Sequence, residues 1–196
     1  MGNPNDSSYT ERLLATESGW KAWLGVQAPY RWHIRRRASG RVLDVGCGIG
    51  RNLTHLGGNG VGVDTNPASV EVARRRGLRA YTPEDFASSP DAAPAAYDTL
   101  LFSHVLEHMT GDEASGLVGQ YLPHLRPGGR VIIIVPQEVG FRSDPTHIEF
   151  VSETDLLEIA RAHDLEVERI YSFPFPRWAG RVFRHNETVG LLRLPS

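Results

Sequence analysis

The densest chemical signal in the chain is the run Asp44-Val45-Gly46-Cys47-Gly48-Ile49-Gly50. Glycines at alternate positions let a backbone turn tightly and approach a ligand without a Cβ in the way. The dinucleotide fingerprint needs a third glycine at Arg51 or Leu53, depending on where the count starts, and neither position has one. No Gly-Lys-Ser/Thr phosphate loop is present either. A turn with so little provision for pyrophosphate suits a neutral nucleoside with a short zwitterionic arm. Asp64, followed by Thr65, ends the next apolar run. An acid at the carboxyl edge of a sheet accepts hydrogen bonds from ribose hydroxyls.

The other group with chemical potential is histidine, of which the chain has eight. Imidazole is the side chain best suited to move a proton near neutral pH. His104 and His108 flank the end of one apolar run and His147 follows the next. Asp144 lies three residues before His147 and Glu149 two after. The set Asp144, His147 and Glu149 has the donors to collect a divalent ion, although Mg²⁺ prefers oxygen ligands; a solvated acidic loop is the plainer reading. His33, His55, His124, His163 and His185 read as surface or packing residues.

Short β-branched runs and helical patterns must position these groups. Arg41 to Val45, Gly60 to Asp64, Thr99 to Ser103 and Arg130 to Val135 read as buried strands. Arg51 to Leu56, Pro67 to Arg76 and Asp112 to Leu125 are helical in pattern, and Ser152 opens a further helix. Strand and helix in alternation with short joints give a parallel sheet covered on both faces. The tail reads as two strands, Glu166 to Ser172 and Glu187 to Leu194, which suggests an antiparallel edge. Residues 1 to 38 precede the first strand, rich in aromatics at Tyr9, Trp20, Trp23, Tyr30 and Trp32. They form a helical segment that packs on the sheet edge or closes over ligands. Residues 39 to 196 form the α/β domain.

Composition narrows the class. A chain of 196 residues with 40% apolar and 22% charged residues fits one globular domain. Net charge of −2 leaves no overall basic field for nucleic acid. The longest aliphatic stretch, Val131 to Val135, is too short to insert in a membrane. One cysteine, Cys47, and no signal-peptide pattern point to the cytoplasm. A homodimer is compatible with everything above.

The block from Arg41 to Val135 resembles the class I S-adenosylmethionine-dependent methyltransferases. DVGCGIG is similar to that family's first motif, Asp64 to its ribose-binding acid, HVLEHM to its fourth-strand motif, and LRPGGRVIIIVP to the turn and strand that follow. The resemblance implies a Rossmann-like, three-layer sandwich: a seven-stranded, mostly parallel sheet with one antiparallel strand near the C-terminus. It also implies an S-adenosyl-L-methionine cofactor, held by Asp44, Gly46, Gly48, Gly50, Asp64 and Thr65. Adenine is expected near Thr82, Pro83 and Glu84, then Ser103 and His104. Thr82 departs from the Asp found in many relatives, which passes the adenine contact to Glu84 or to backbone groups.

A narrower resemblance, in HVLEHM with Asp144-Pro145-Thr146-His147, points to methyltransferases of sugar and cell-envelope polysaccharide biosynthesis. It implies a saccharide or other small-molecule acceptor and O-methylation of a hydroxyl. The loop after the fifth strand should overhang the carboxyl edge of the sheet, which makes His147 the candidate general base, with His108 on the same edge as the second. Three alternatives stay open: small-molecule N-methylation, nucleic-acid methylation and a cofactor-binding fold without turnover. Against the nucleic-acid reading, the Asn-Pro-Pro-Tyr type of base-amine motif is absent, since the fourth strand ends in Ser-His-Val-Leu.

Overall fold

The computed structural model describes residues 28–196. Helix α1 (Ala28–Arg37) precedes β1 (Val42–Val45), α2 (Arg51–His55), β2 (Gly60–Val63), α3 (Pro67–Arg75), β3 (Ala80–Tyr81) and α4 (Pro83–Ala87). Then follow β4 (Tyr97–Ser103), α5 (Gly111–Tyr121), β5 (Leu125–Pro136), α6 (Glu138–Arg142), α7 (Glu153–Ala162), β6 (Glu166–Phe173) and β7 (Glu187–Arg193). The seven strands form one sheet in the order β3-β2-β1-β4-β5-β7-β6. Pairings from β3 through β5 are parallel, and β7 runs antiparallel to both neighbours.

Side-chain alternation assigns the two faces. Leu43, Val45, Leu100, Phe102, Val131 and Ile133 point into a core closed by Ala114 and Val118 of α5 and Leu156 and Ile159 of α7. On the other face Val42, Leu101, Ile132 and Ile134 meet Ile34 of α1. Leu53 of α2 and Val70 and Ala73 of α3 cluster with Cys47 and Ala80. The result is the three-layer sandwich.

Local chemistry sets the helix starts. The Asn66 side chain accepts from the N–H groups of Ala68 and Ser69, with Pro67 in the first turn. Thr110–Glu113 and Ser152–Asp155 each form a capping box.

The structure departs from the sequence expectation in several places. The antiparallel strand lies inside the sheet and β6 forms the edge, because β7 pairs with β5 along its whole length. Helix α5 stops at Tyr121, where Pro123 enters a 3-10 turn over Leu122–His124, and β5 starts at Leu125. β3 and α6 are too short, at two and five residues, to show periodicity. Of the N-terminal segment, Tyr9, Trp20 and Trp23 lie outside the described residues.

Candidate active site

The glycine turn sits where β1 hands over to α2. Gly46, Gly48 and Gly50 all have left-handed backbones, at φ 77, 52 and 80, a region that glycine enters without the usual Cβ penalty. Their surroundings differ. A Cβ on Gly46 would stand 2.6 Å from Val105 Cγ2, and one on Gly50 would stand 2.4 Å from Leu78 Cδ1. Both glycines therefore face the chain's own side chains, Val105 and Leu78, a packing demand not foreseen from the motif, and they differ in that Gly46 also lines the cleft whereas Gly50 does not. Gly46 and Gly48 line a cleft of about 330 Å³, together with Ser103, His104, His108 and His147.

Two carboxylates lie beneath the turn. Asp64 accepts from the backbone N–H of Gly48 at 2.7 Å and of Asn66 at 2.9 Å. Burial raises its pKa, and those two hydrogen bonds temper the rise. Asp44 is fully buried, with neither oxygen in a hydrogen bond. Burial pushes its pKa up to about 7; nearby Asn52 opposes the shift and the Asp64 carboxylate adds to it. A buried carboxylate whose oxygens lack hydrogen-bond partners, beneath a glycine-rich turn, fits a ligand with a cationic arm.

The sheet edge expected to face adenine is more open. Parallel pairing sets Val63 beside Tyr81, so Asp64 and the exposed Thr65 adjoin Thr82-Pro83-Glu84 at one sheet edge. Thr82 caps α4 by accepting from the Asp85 N–H, which places Pro83 in the first turn and Glu84 in solvent. Neither Pro83 nor Glu84 lines the main cleft.

The far wall of the cleft carries the histidines. His104 has a left-handed backbone at φ 56. Its Nδ1 lies 3.1 Å from Glu107 Oε1 and its Nε2 2.9 Å from Glu187 Oε1. Burial works against the charged ring, but the two carboxylates outweigh it and push its pKa up to about 10. With its side chain 44% exposed in the cleft, His104 owes that charge mainly to the carboxylates. It is an imidazolium clamp between the end of β4 and the start of β7, unsuited to act as a base.

His147 is the opposite case, with a side chain only 9% exposed. Its Nδ1 stands 2.7 Å from the Phe141 carbonyl oxygen. A carbonyl only accepts, so Nδ1 carries a proton, and in the neutral ring Nε2 presents a lone pair. That Nε2 lies 4.0 Å from Oε1 of the fully buried Glu107, whose Oε2 has no partner. His108 packs edge-on against His147, with ring centroids 4.9 Å apart, and its Nδ1 faces the Thr146 carbonyl at 3.2 Å.

Asp144 lines the same cleft, yet its carboxylate is engaged by the Thr146 N–H at 2.9 Å and hydroxyl at 2.7 Å. Burial pulls the other way, but these bonds and the His147 and His108 rings hold Asp144 below the usual carboxylate range. Glu149 is not in this cleft: its Oε2 accepts from the Gly111 N–H at 2.9 Å and holds the start of α5. The metal set inferred from sequence, Asp144 with Glu149, is therefore not assembled. The ligand atoms that do converge, within 4.8 Å, belong to Glu107, His108 and His147.

Sequence reasoning also missed Glu107, Glu187, Arg184 and His185, all of which line the cleft, as do His33 and His55. Glu107 stood inside the quoted HVLEHM, and its place between two histidines was the available signal. Nothing in the sequence tied Glu187 to His104, 83 residues away.

Fold, glycine turn and paired acids together define a class I S-adenosylmethionine-dependent methyltransferase. The chain belongs to the methyltransferase domain family, whose model matches residues 31–170. It is 27% identical to the ubiquinone biosynthesis O-methyltransferase of Xanthomonas euvesicatoria pv. vesicatoria, over 74% of this chain and 70% of that protein. Among solved structures, a SAM-dependent methyltransferase from Archaeoglobus fulgidus superposes with a TM-score of 0.68 at 18% identity, covering 92% of this chain and 99% of that one. The 1,6-didemethyltoxoflavin-N1-methyltransferase of Burkholderia thailandensis, solved with its acceptor and S-adenosylhomocysteine, gives a TM-score of 0.59 at 21% identity, covering 100% and 92%.

Proposed function

We propose that the chain transfers the methyl group of S-adenosylmethionine to a hydroxyl oxygen of a polar, saccharide-like acceptor, with His147 as general base. The observation that carries this reading is the fixed tautomer of His147, whose basic Nε2 shares a cleft with Gly46 and Gly48. The cofactor supplies an electrophilic methyl carbon for in-line displacement. Asp44, Gly46, Gly48 and Asp64 would hold it, with Thr82 to Glu84 and the Ser103–His104 backbone available to the adenine.

A sugar hydroxyl is too weak an acid to ionise unaided at neutral pH. His147 Nε2 would take its proton as the hydroxyl oxygen displaces the sulfonium sulfur from the methyl carbon, leaving neutral S-adenosylhomocysteine, and the buried Glu107 carboxylate would steady the resulting imidazolium. The cleft wall favours a polar acceptor, because Asp144, Arg184 and His185 offer hydrogen-bonding groups around the base. The Xanthomonas relative is named an O-methyltransferase, which agrees with oxygen as the atom methylated. On this reading α1 forms part of a lid: Tyr30, His33 and Ile34 line the cleft, and the Tyr30 hydroxyl donates to the His185 carbonyl at 2.7 Å.

The convergence of Glu107, His108 and His147 favours a second reading, in which a divalent ion assists. Two imidazoles and one carboxylate suit Zn²⁺ or Mn²⁺ better than Mg²⁺.

The test is methyl-labelled S-adenosylmethionine with a panel of glycosides, catechols and amines, with and without chelator. Label in an alkali-stable ether of a glycoside supports the saccharide reading. Transfer only to catechols or amines overturns it. Loss of turnover with chelator, restored by Zn²⁺ or Mn²⁺, transfers the role of His147 from base to ligand.

A further inference from the structure

Thirteen residues, Pro174 to Asn186, join β6 to β7 and end at the mouth of the cleft, where Arg184 and His185 line it. The segment has no acidic residue; it carries Arg177, Arg181 and Arg184 with Phe175, Trp178 and Phe183 between them. Its central 3-10 turn, Arg177–Arg181, packs inside out. The small residues Ala179 and Gly180 are buried. A Cβ on Gly180 would fall 2.0 Å from Gln137 Oε1, so the turn lies flush on that side chain. The large apolar residues point to solvent instead: Phe175 is 49% exposed, Trp178 68% and Val182 75%.

This display is rigidly anchored. Asn186 is fully buried; its side chain accepts from the Phe175 N–H at 3.0 Å and donates to Gln137 Oε1 at 2.9 Å. Arg177 grips Glu138 with two hydrogen bonds, at 2.7 and 2.6 Å, and Glu153 lies near it. Arg181 and Arg184 form no salt bridge among the described residues. Exposing three large apolar groups is costly for a merely solvated loop.

We infer that this turn is a peripheral docking surface for an anionic lipid bilayer, which Trp178, Val182 and Phe175 enter at headgroup depth while Arg181 and Arg184 meet lipid phosphates. Aromatic and aliphatic tips flanked by arginines match the interface of an anionic leaflet. Self-association through this face is disfavoured, since a two-fold contact would bring the arginines of one copy against those of the other. Trp178 and Val182 do not line the cleft, so the exposed tip stands beside it and not within it. The surface adjoins the cleft mouth and brings an acceptor held at the bilayer within reach. The inference does not depend on which acceptor that is.

The experiment is co-sedimentation of the full chain with phosphatidylglycerol–phosphatidylcholine vesicles, against vesicles of phosphatidylcholine alone. The parent should pellet with the anionic vesicles and be released by about 0.5 M salt. Trp178→Ser with Val182→Ser, and separately Arg181→Glu, should each weaken the vesicle partition constant about fivefold or more. Both variants should keep parental affinity for S-adenosylhomocysteine, which shows that they fold. No pelleting of the parent above the phosphatidylcholine level overturns the inference, as does pelleting that both variants retain. Concentration-dependent dimerisation that Trp178→Ser abolishes also overturns it, in favour of a contact between copies. Salt-sensitive binding of single-stranded nucleic acid in place of vesicles overturns it too.

Discussion

The glycine turn and the histidine cluster face each other across one cleft, yet they are built from different materials. The turn is backbone: three left-handed glycines in seven consecutive residues, with the buried acids Asp44 and Asp64 beneath. The cluster is side chains drawn from three segments, Ser103–His108, Asp144–His147 and the start of β7, spliced by carboxylate–imidazole contacts. A site made of local backbone geometry tolerates few substitutions but needs few partners. A site made of distant side chains can be re-equipped one residue at a time while the fold is kept. That is how one family can hold one cofactor and serve many acceptors.

The sharpest way to break the contrast is Gly48→Val. A valine at φ 52 is strained and adds a branched side chain to a turn that lines the cleft, so affinity for S-adenosylhomocysteine should fall below detection while the fold persists. On the opposite wall, His147→Ala should lower kcat by about 10²–10⁴-fold, the usual range for a lost general base. Steady-state assays with an acceptor from the glycoside panel decide it. A kcat within a factor of about three of the parent would remove His147 from the chemistry.

Asp64→Ala should weaken S-adenosylhomocysteine by roughly 1–3 kcal/mol through lost charge-assisted hydrogen bonds. A parental dissociation constant by calorimetry would contradict its assignment to the ribose. The smallest effect concerns pH. The ordinary carboxyl value is 3.8, and in the fold Asp44 rises to about 7. Between those values the folded chain holds a proton that the unfolded chain has lost. Its contribution to stability is therefore present at low pH and falls away as pH rises to about 7, by up to about 1.4 kcal/mol per unit. Asp44→Asn should flatten that part of the profile in denaturant titrations from about pH 5 to 8. An unchanged slope would mean that Asp44 is ionised in the fold.

The same contrast explains what the sequence made legible. DVGCGIG and Asp64 could be read because turn chemistry is encoded within a few residues, and the parallel sheet followed from the alternation of strand and helix. β3 was too short to show a period, and the inserted position of β7 depends on pairing with β5, which no local pattern records. His147 could be placed because a loop after a parallel strand overhangs the carboxyl edge. The service of Glu149 to the Gly111 N–H could not, because that bond crosses 38 residues. For the same reason the contact of the His104 ring with Glu187, 83 residues away, could not be read.

One titration tests the division of labour most directly: S-adenosylhomocysteine, followed by calorimetry, into the parent, Gly48→Val and His147→Ala side by side. The expected result is parental affinity in His147→Ala, within about threefold, and no measurable heat in Gly48→Val. Parental binding by Gly48→Val, or a loss in His147→Ala comparable to that in Gly48→Val, would contradict it and make the cleft a single site with shared duties.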